Sequence, residues 1–198
     1  MKFEQKMWAK ALLSSYGYLE NICGSIDKKV ISYGIGSASN RDTEFVADKI
    51  ISLIERKKFL ISTKVLVDKA LYGIPTDYAR AIILKYVDKI KVETASKVMN
   101  VSLRTYFRKV EIGVDKFASQ LISFGYDDKK ISEIYSKENW IYEIYKSYLN
   151  KFIKDDKKEN NIKNTQNNDK TMAKNSDFDS NYGKNIGSGI KPLPVFQC

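Results

Sequence analysis

The chain has 198 residues, 43% of them hydrophobic, with 34 Lys and Arg against 24 Asp and Glu, a formal net charge of +10 and no His. That length and apolar content suffice for one ordinary domain with accessory helices. The lack of His excludes His-based triads and His metal sites, and two distant cysteines, Cys23 and Cys198, argue against a disulfide framework and cannot form a zinc site alone. Pro occurs only at Pro75, Pro192 and Pro194, so little interrupts long helices and an all-α, multi-helix fold is expected.

From the N-terminus, Leu19, Ile22, Cys23, Ile26, Val30 and Tyr33 recur at helical spacing. The stripe ends at Gly34 to Asn40, a Gly- and Ser-rich stretch expected to be a mobile connection. Asp42 or Thr43 is placed to cap a second helix with Val46, Ile50, Leu53 and Ile54 on its buried side, and Ser62 to cap a third reaching Tyr72. These elements make an N-terminal helical region, 1–72. No apolar run is long enough to span a bilayer, and the start of the chain, with Lys2, Glu4 and Lys6, has no secretory pattern. A cytoplasmic protein with no membrane partner is expected.

Residues 73–125 carry the functional signal. Gly73 to Val87, GIPTDYARAIILKYV, opens with a turn at Pro75, offers Thr76 or Asp77 as a cap and sets Ala79, Ile82, Ile83 and Tyr86 on one helical face. Glu93 to Val110, ETASKVMNVSLRTYFRKV, then reads as two short helices joined by a tight turn. Ser96 is the small residue that a close helix crossing requires, and Asn100 tolerates the left-handed backbone of the reversal. Val101 is placed to plug the gap between the helices, and Ser102 to cap the second helix. Tyr106, Val110, Val114, Phe117 and Leu121 give that helix one apolar face, opposite Arg104, Phe107, Arg108 and Lys109.

Charge points the same way. Residues 85–116 hold 8 basic side chains against 4 acidic, and from Lys97 to Lys109 the bases Lys97, Arg104, Arg108 and Lys109 face no acid in sequence. A duplex backbone is attracted to such a face. The plain alternative is an amphipathic helical pair whose Lys and Arg solvate an outer surface.

The succession from the Pro turn through an apolar-Lys-Tyr step, a short polar link and SLRTYFRKV resembles region four of the sigma factors of bacterial RNA polymerase, and the phage-type regulators that share this module. The resemblance covers about Gly73 to Leu121. It implies a helix-turn-helix in the major groove of double-stranded DNA, with Leu103, Arg104, Phe107 and Arg108 nearest the bases and RNA polymerase as a protein partner. Ala95 stands where the family has a larger aliphatic residue and Asn100 where it has Gly. No segment resembles the promoter-melting region two, so the resemblance points to a sigma-like regulator instead of a complete sigma factor. The full DNA-facing set is Lys97, Ser102, Leu103, Arg104, Thr105, Phe107, Arg108 and Lys109.

Gly125 marks a stop, and Asp127 or Asp128 restarts a helix expected to continue to about Phe152, within a C-terminal segment 126–153. Its stripe of Ile131, Ile134, Tyr135, Ile141, Ile144, Tyr145, Tyr148 and Phe152 is too broad for a free surface helix. Packing within the chain explains it most simply, and a homodimer surface is the sharper alternative. From 154 to 198 the composition turns polar; Asp155 to Lys191 has scarcely any aliphatic residue, so a disordered tail is expected, ending in the short apolar IKPLPVFQC.

No phosphate-binding loop or dinucleotide glycine pattern occurs, and the pairs Asp127–Asp128 and Asp155–Asp156 are explained by capping and solvation. Neither an enzymatic activity nor a cofactor or metal is expected. The sequence favours a sequence-specific DNA-binding transcription regulator. Its rivals are a helical interaction module working through the aromatic C-terminal helix, and a nonspecific nucleic-acid binder.

Overall fold

A computed structural model describes residues 3–36 and 43–154. Among the described residues the α-helices follow in order: α1 (Phe3–Gly36), α2 (Thr43–Tyr72), α3 (Thr76–Ile82), which passes into a π turn (Ile83–Val87), α4 (Val92–Val98), α5 (Leu103–Ser123) and α6 (Asp128–Tyr135). A further helix, α7, begins at residue 139. The chain divides into two units, Met1–Asn150 and Lys151–Cys198. Of the second, only 151–154 are described, and they are helical. No strand occurs among the described residues, so the fold is all-α. The tail expected to be disordered, and most of the expected 34–40 connection, lie outside the described residues.

One buried cluster organises the first unit, and it begins earlier than the expected Leu19 stripe. Met7, Trp8, Ala9, Ala11, Leu12 and Leu13 of α1 are all essentially inaccessible. A helix segment apolar around so much of its circumference must be enclosed on several sides. It is: Leu66, Val67 and Ala70 of α2, Ala81 and Ile82 of α3, Val110, Val114, Phe117 and Leu121 of α5, and Ile131, Ile141 and Tyr145 belong to the same cluster. Each large side chain so buried contributes roughly 1.5–3 kcal/mol of transfer free energy before ordering costs are subtracted. A smaller cluster of Leu19, Ile26 and Leu60 holds the outer parts of α1 and α2 together.

Several sequence expectations are corrected. Ser62 caps no third helix, because α2 runs unbroken to Tyr72. Its neighbour Thr63 returns its hydroxyl to the Phe59 carbonyl at 3.0 Å, satisfying itself inside the helix instead of starting a new one. On α2, Val46 is buried, whereas Ile54 is exposed. Helix α1 continues through Gly34, Ile35 and Gly36. Neither Thr76 nor Asp77 caps α3: Pro75 holds the cap position, with its carbonyl accepting from the Tyr78 and Ala79 amides.

Two further differences concern helix register. After Ile82 the backbone widens, with the Asp88 amide donating to the Ile83 carbonyl at 3.0 Å. Of the face expected, Ile82 and Tyr86 are buried while Ala79 and Ile83 are only half-buried, and Leu84, within the wider π turn, joins the core. The expected continuous helix from Asp128 to Phe152 is also broken, at 136–138. Glu138 sits in that break, 9% exposed, where it accepts from Arg56 Nε of α2 at 3.0 Å and from Trp140 Nε1 at 2.9 Å. A long-range ion pair, and no Gly or Pro, marks the bend. Beyond it, Ile141 and Tyr145 are buried, and Ile134 before it and Ile144 and Tyr148 after it pack against the cluster. That part of the aromatic stripe therefore packs within the chain.

Candidate nucleic-acid interface

Helices α4 and α5 meet through a turn whose chemistry was legible beforehand. Asn100 has φ +53°, the left-handed region in which Asn is among the few tolerated non-Gly residues. The Val101 amide donates to the Ser96 carbonyl at 3.0 Å, and the Asn100 amide to the Lys97 carbonyl at 2.9 Å, closing the end of α4. Ser96 and Ala95 are both buried, and the Ser96 hydroxyl donates to the Glu93 carbonyl at 3.0 Å. Ser102 caps α5 by accepting from the Thr105 amide at 3.2 Å.

Helix α5 is fixed from behind. Tyr106, Val110, Val114, Phe117 and Leu121 are buried as a continuous face, and the Tyr106 hydroxyl donates to the Ala81 carbonyl at 3.3 Å. Gly113 permits the tightest approach: a methyl group there would lie 2.7 Å from Ile82 Cγ2 and 2.9 Å from the Tyr78 carbonyl oxygen of α3. The first turns of α5 are thus held by a cap at one end and a close crossing farther along.

On the outward side, Lys97, Ser102, Leu103, Arg104, Phe107 and Arg108 are exposed, with Phe107 at 50%. The side chains of Arg104 and Arg108, one turn apart, make no ion pair or hydrogen bond with any described residue, and that of Lys97 makes none either. The other polar members of the set are engaged. The Ser102 hydroxyl donates to Thr105 Oγ1 at 2.9 Å. Lys109 is half-buried and paired with Asp77 Oδ2 at 2.6 Å, so the acid absent from its sequence neighbourhood is supplied by α3. Hydrogen bonding to Lys109, and then its charge, hold the Asp77 carboxyl below the usual aspartate value.

Two basic side chains join this surface that the sequence did not single out. Arg80 of α3 is exposed and donates to the Val98 carbonyl at 3.4 Å, at the end of α4. Lys85 of the π turn places its ammonium 5.6 Å from the centre of the Phe107 ring. Both come from outside the two-helix segment, and their approach depends on the α3 to α5 packing that local periodicity does not report. No group of three or more metal-ligating side chains occurs among the described residues, and none of the described helices is long and apolar enough to cross a membrane.

Compared with protein families, curated proteins and solved structures, the chain has no match in any of the three.

Proposed function

We propose that the chain is a sequence-specific binder of double-stranded DNA that regulates transcription, in the manner of sigma region four, and has no catalytic role. One observation carries this reading: Arg104 and Arg108 stand exposed and unpaired, one turn apart, on the first turns of a helix whose opposite face is fully buried. A rigidly seated helix with free guanidinium groups near its N-terminal end suits the major groove, where Arg reads guanine through two parallel hydrogen bonds. Lys97 and Arg80, both at the end of α4, suit flanking phosphates. RNA polymerase as a second partner rests on the sequence resemblance alone. A homodimer on two half-sites would need a face other than the stripe formed by Ile134, Ile141, Tyr145 and Tyr148, since those side chains pack into the chain's own core.

Selection of bound sites from a pool of random duplexes tests this directly. A recovered motif bound at least about a thousandfold more tightly than random duplex at one fixed salt concentration supports the reading. Equal affinity for all duplexes leaves a nonspecific binder, and binding to none leaves the helical interaction module.

A further inference from the structure

Beside the exposed face of α5 lies a concave site that shares Lys85 and Phe107 with the candidate DNA-facing surface but reaches back to α1. Lys6 and Lys10 of α1, Lys85 and Tyr86 of the π turn, and Phe107 and Glu111 of α5 are among the residues lining a cavity of about 220 Å³. Three ammonium groups thus converge from two separate elements. Lys6 is matched by Asp115 Oδ1 of α5 at 2.7 Å. Lys10 and Lys85 form no ion pair with any described residue. Lys85 instead lies 5.4 Å from the centre of Tyr86 and 5.6 Å from that of Phe107, so two aromatic faces share in holding its charge.

This is an expensive way to arrange lysines unless something completes it. Burial lowers the pKa of both Lys10 and Lys85, and Lys10 is lowered further by repulsion from Lys6 and Lys85; the charge of Glu111 opposes the shift in each case, joined at Lys10 by that of Asp115. Lysines with no structural task ordinarily extend their ammonium groups into water. Here the π turn, a backbone form concentrated at functional sites, carries Lys85 and Tyr86 to the wall of the cavity. The half-exposed ring of Phe107 adds a flat apolar surface at the same place. Two cations without an ion-pair partner, sharing the single lining carboxylate of Glu111 beside a flat ring, complement an anion attached to a planar or apolar body.

We infer that this cavity binds a phosphate group through Lys10 and Lys85, with the body of the phosphorylated ligand against Phe107. A free phosphorylated small molecule and the backbone of a duplex both offer that chemistry. The inference does not rest on the DNA reading, because Arg104 and Arg108 are not among the lining residues.

The test uses the full chain at low ionic strength, with inorganic pyrophosphate and adenosine diphosphate as probes in separate calorimetric titrations. Saturable binding is expected, weakened by about tenfold or more in Lys10→Ala and in Lys85→Ala and unchanged in Arg104→Ala. Circular dichroism verifies that each variant is folded, and Lys10→Arg, which keeps the charge, is expected to retain binding. Competition identifies the source. If pyrophosphate displaces duplex from the wild type and the two alanine variants also weaken duplex, the backbone supplies the phosphate; if duplex affinity is untouched by either, a free ligand does. Pyrophosphate binding without any duplex binding upholds the cavity while refuting the DNA reading. Pyrophosphate binding that survives both alanine variants overturns the inference, as does the absence of saturable binding by either probe together with duplex affinity unaffected by the variants.

Discussion

The indole of Trp8 and the ring of Tyr145 stack with centroids 4.0 Å apart and planes 11° from parallel, joining the first helix to the last one of the unit. Tyr142 lies 6.2 Å from the indole on a nearly parallel plane, and Trp8 itself is 1% exposed. Aromatic contacts of this kind add about 0.5–1.5 kcal/mol beyond area burial. Trp8→Ala is therefore expected to cost about 3–5 kcal/mol, visible as a lower midpoint in urea unfolding. A loss below about 1 kcal/mol would mean that α1 does not close the core as described.

Base contacts and phosphate contacts separate by variant. Loss of a bidentate arginine costs about 1–3 kcal/mol at the guanine it reads, so Arg104→Ala or Arg108→Ala is expected to flatten preference at one base position. Lys97→Ala is expected to weaken all duplexes alike and reduce the slope of log affinity against log salt by about one. Fluorescence anisotropy over a salt series on the selected site and on point-mutated sites distinguishes the two patterns. Unchanged site preference in both arginine variants would reassign the reading face.

Glycine at 113 and at 24 makes a matched pair. Replacing a helical Gly by Ala ordinarily stabilises by about 0.5–1 kcal/mol, and Gly24, with no neighbouring atom within 4 Å of an added methyl, is expected to follow that rule. At Gly113 the added methyl meets the backbone oxygen of Tyr78 at 2.9 Å, which no rotamer change relieves. Gly113→Ala is expected to destabilise by about 1–3 kcal/mol. Thermal unfolding of the two variants should move Tm in opposite directions, and a rise for Gly113→Ala would refute the tight α3 to α5 crossing.

The Asp77 and Lys109 pair gives a pH signature. Because the folded-state pKa of Asp77 lies below its ordinary value of 3.8, its stabilising contribution is complete above that value and disappears as pH falls through the lower folded value. Asp77→Asn should therefore lower Tm at neutral pH, and its difference from wild type should vanish at strongly acidic pH. The same substitution releases Lys109 toward the duplex, raising the salt slope by about one. A difference that persists undiminished in acid would show that Asp77 acts through something other than its charge.

Local rules made much of the α4 to α5 segment legible. Ser96, Asn100 and Ser102 each have a requirement set by immediate neighbours: a small side chain, a left-handed backbone and an oxygen at a helix start. The apolar face from Tyr106 to Leu121 follows from periodicity alone. What was not legible depends on residues distant in sequence. The C-terminal helix breaks where Arg56 of α2 meets Glu138, and no Gly or Pro announces the bend. Lys109 reads as a free base until α3 places Asp77 beside it, and Lys85 reads as one more solvated lysine until the π turn carries it to Phe107. The densest core, Met7 to Leu13, lacks the one-sided stripe that draws attention because it is covered on several sides.

The outer parts of α1 and α2 are aligned by three polar pairs whose spacing matches step for step. The Tyr16 hydroxyl donates to Asp68 Oδ1 at 2.6 Å, Lys64 pairs with Glu20, and Lys57 pairs with Asp27 Oδ1 at 2.6 Å. Moving outward, α1 advances from 16 to 20 to 27 while α2 retreats from 68 to 64 to 57, by the same intervals of one and then two helical turns. The apolar contact between these stretches is small, centred on Leu19, Ile26 and Leu60, and would tolerate sliding by itself. Sliding by one turn in one direction sets Glu20 opposite Asp68, two like charges; in the other it sets Glu20 opposite Leu60 and Lys57 opposite Cys23, and every pair is lost. The three pairs therefore act as a ruler: singly they stabilise little at an exposed surface, yet jointly they select one alignment of the two helices over its nearest competitors.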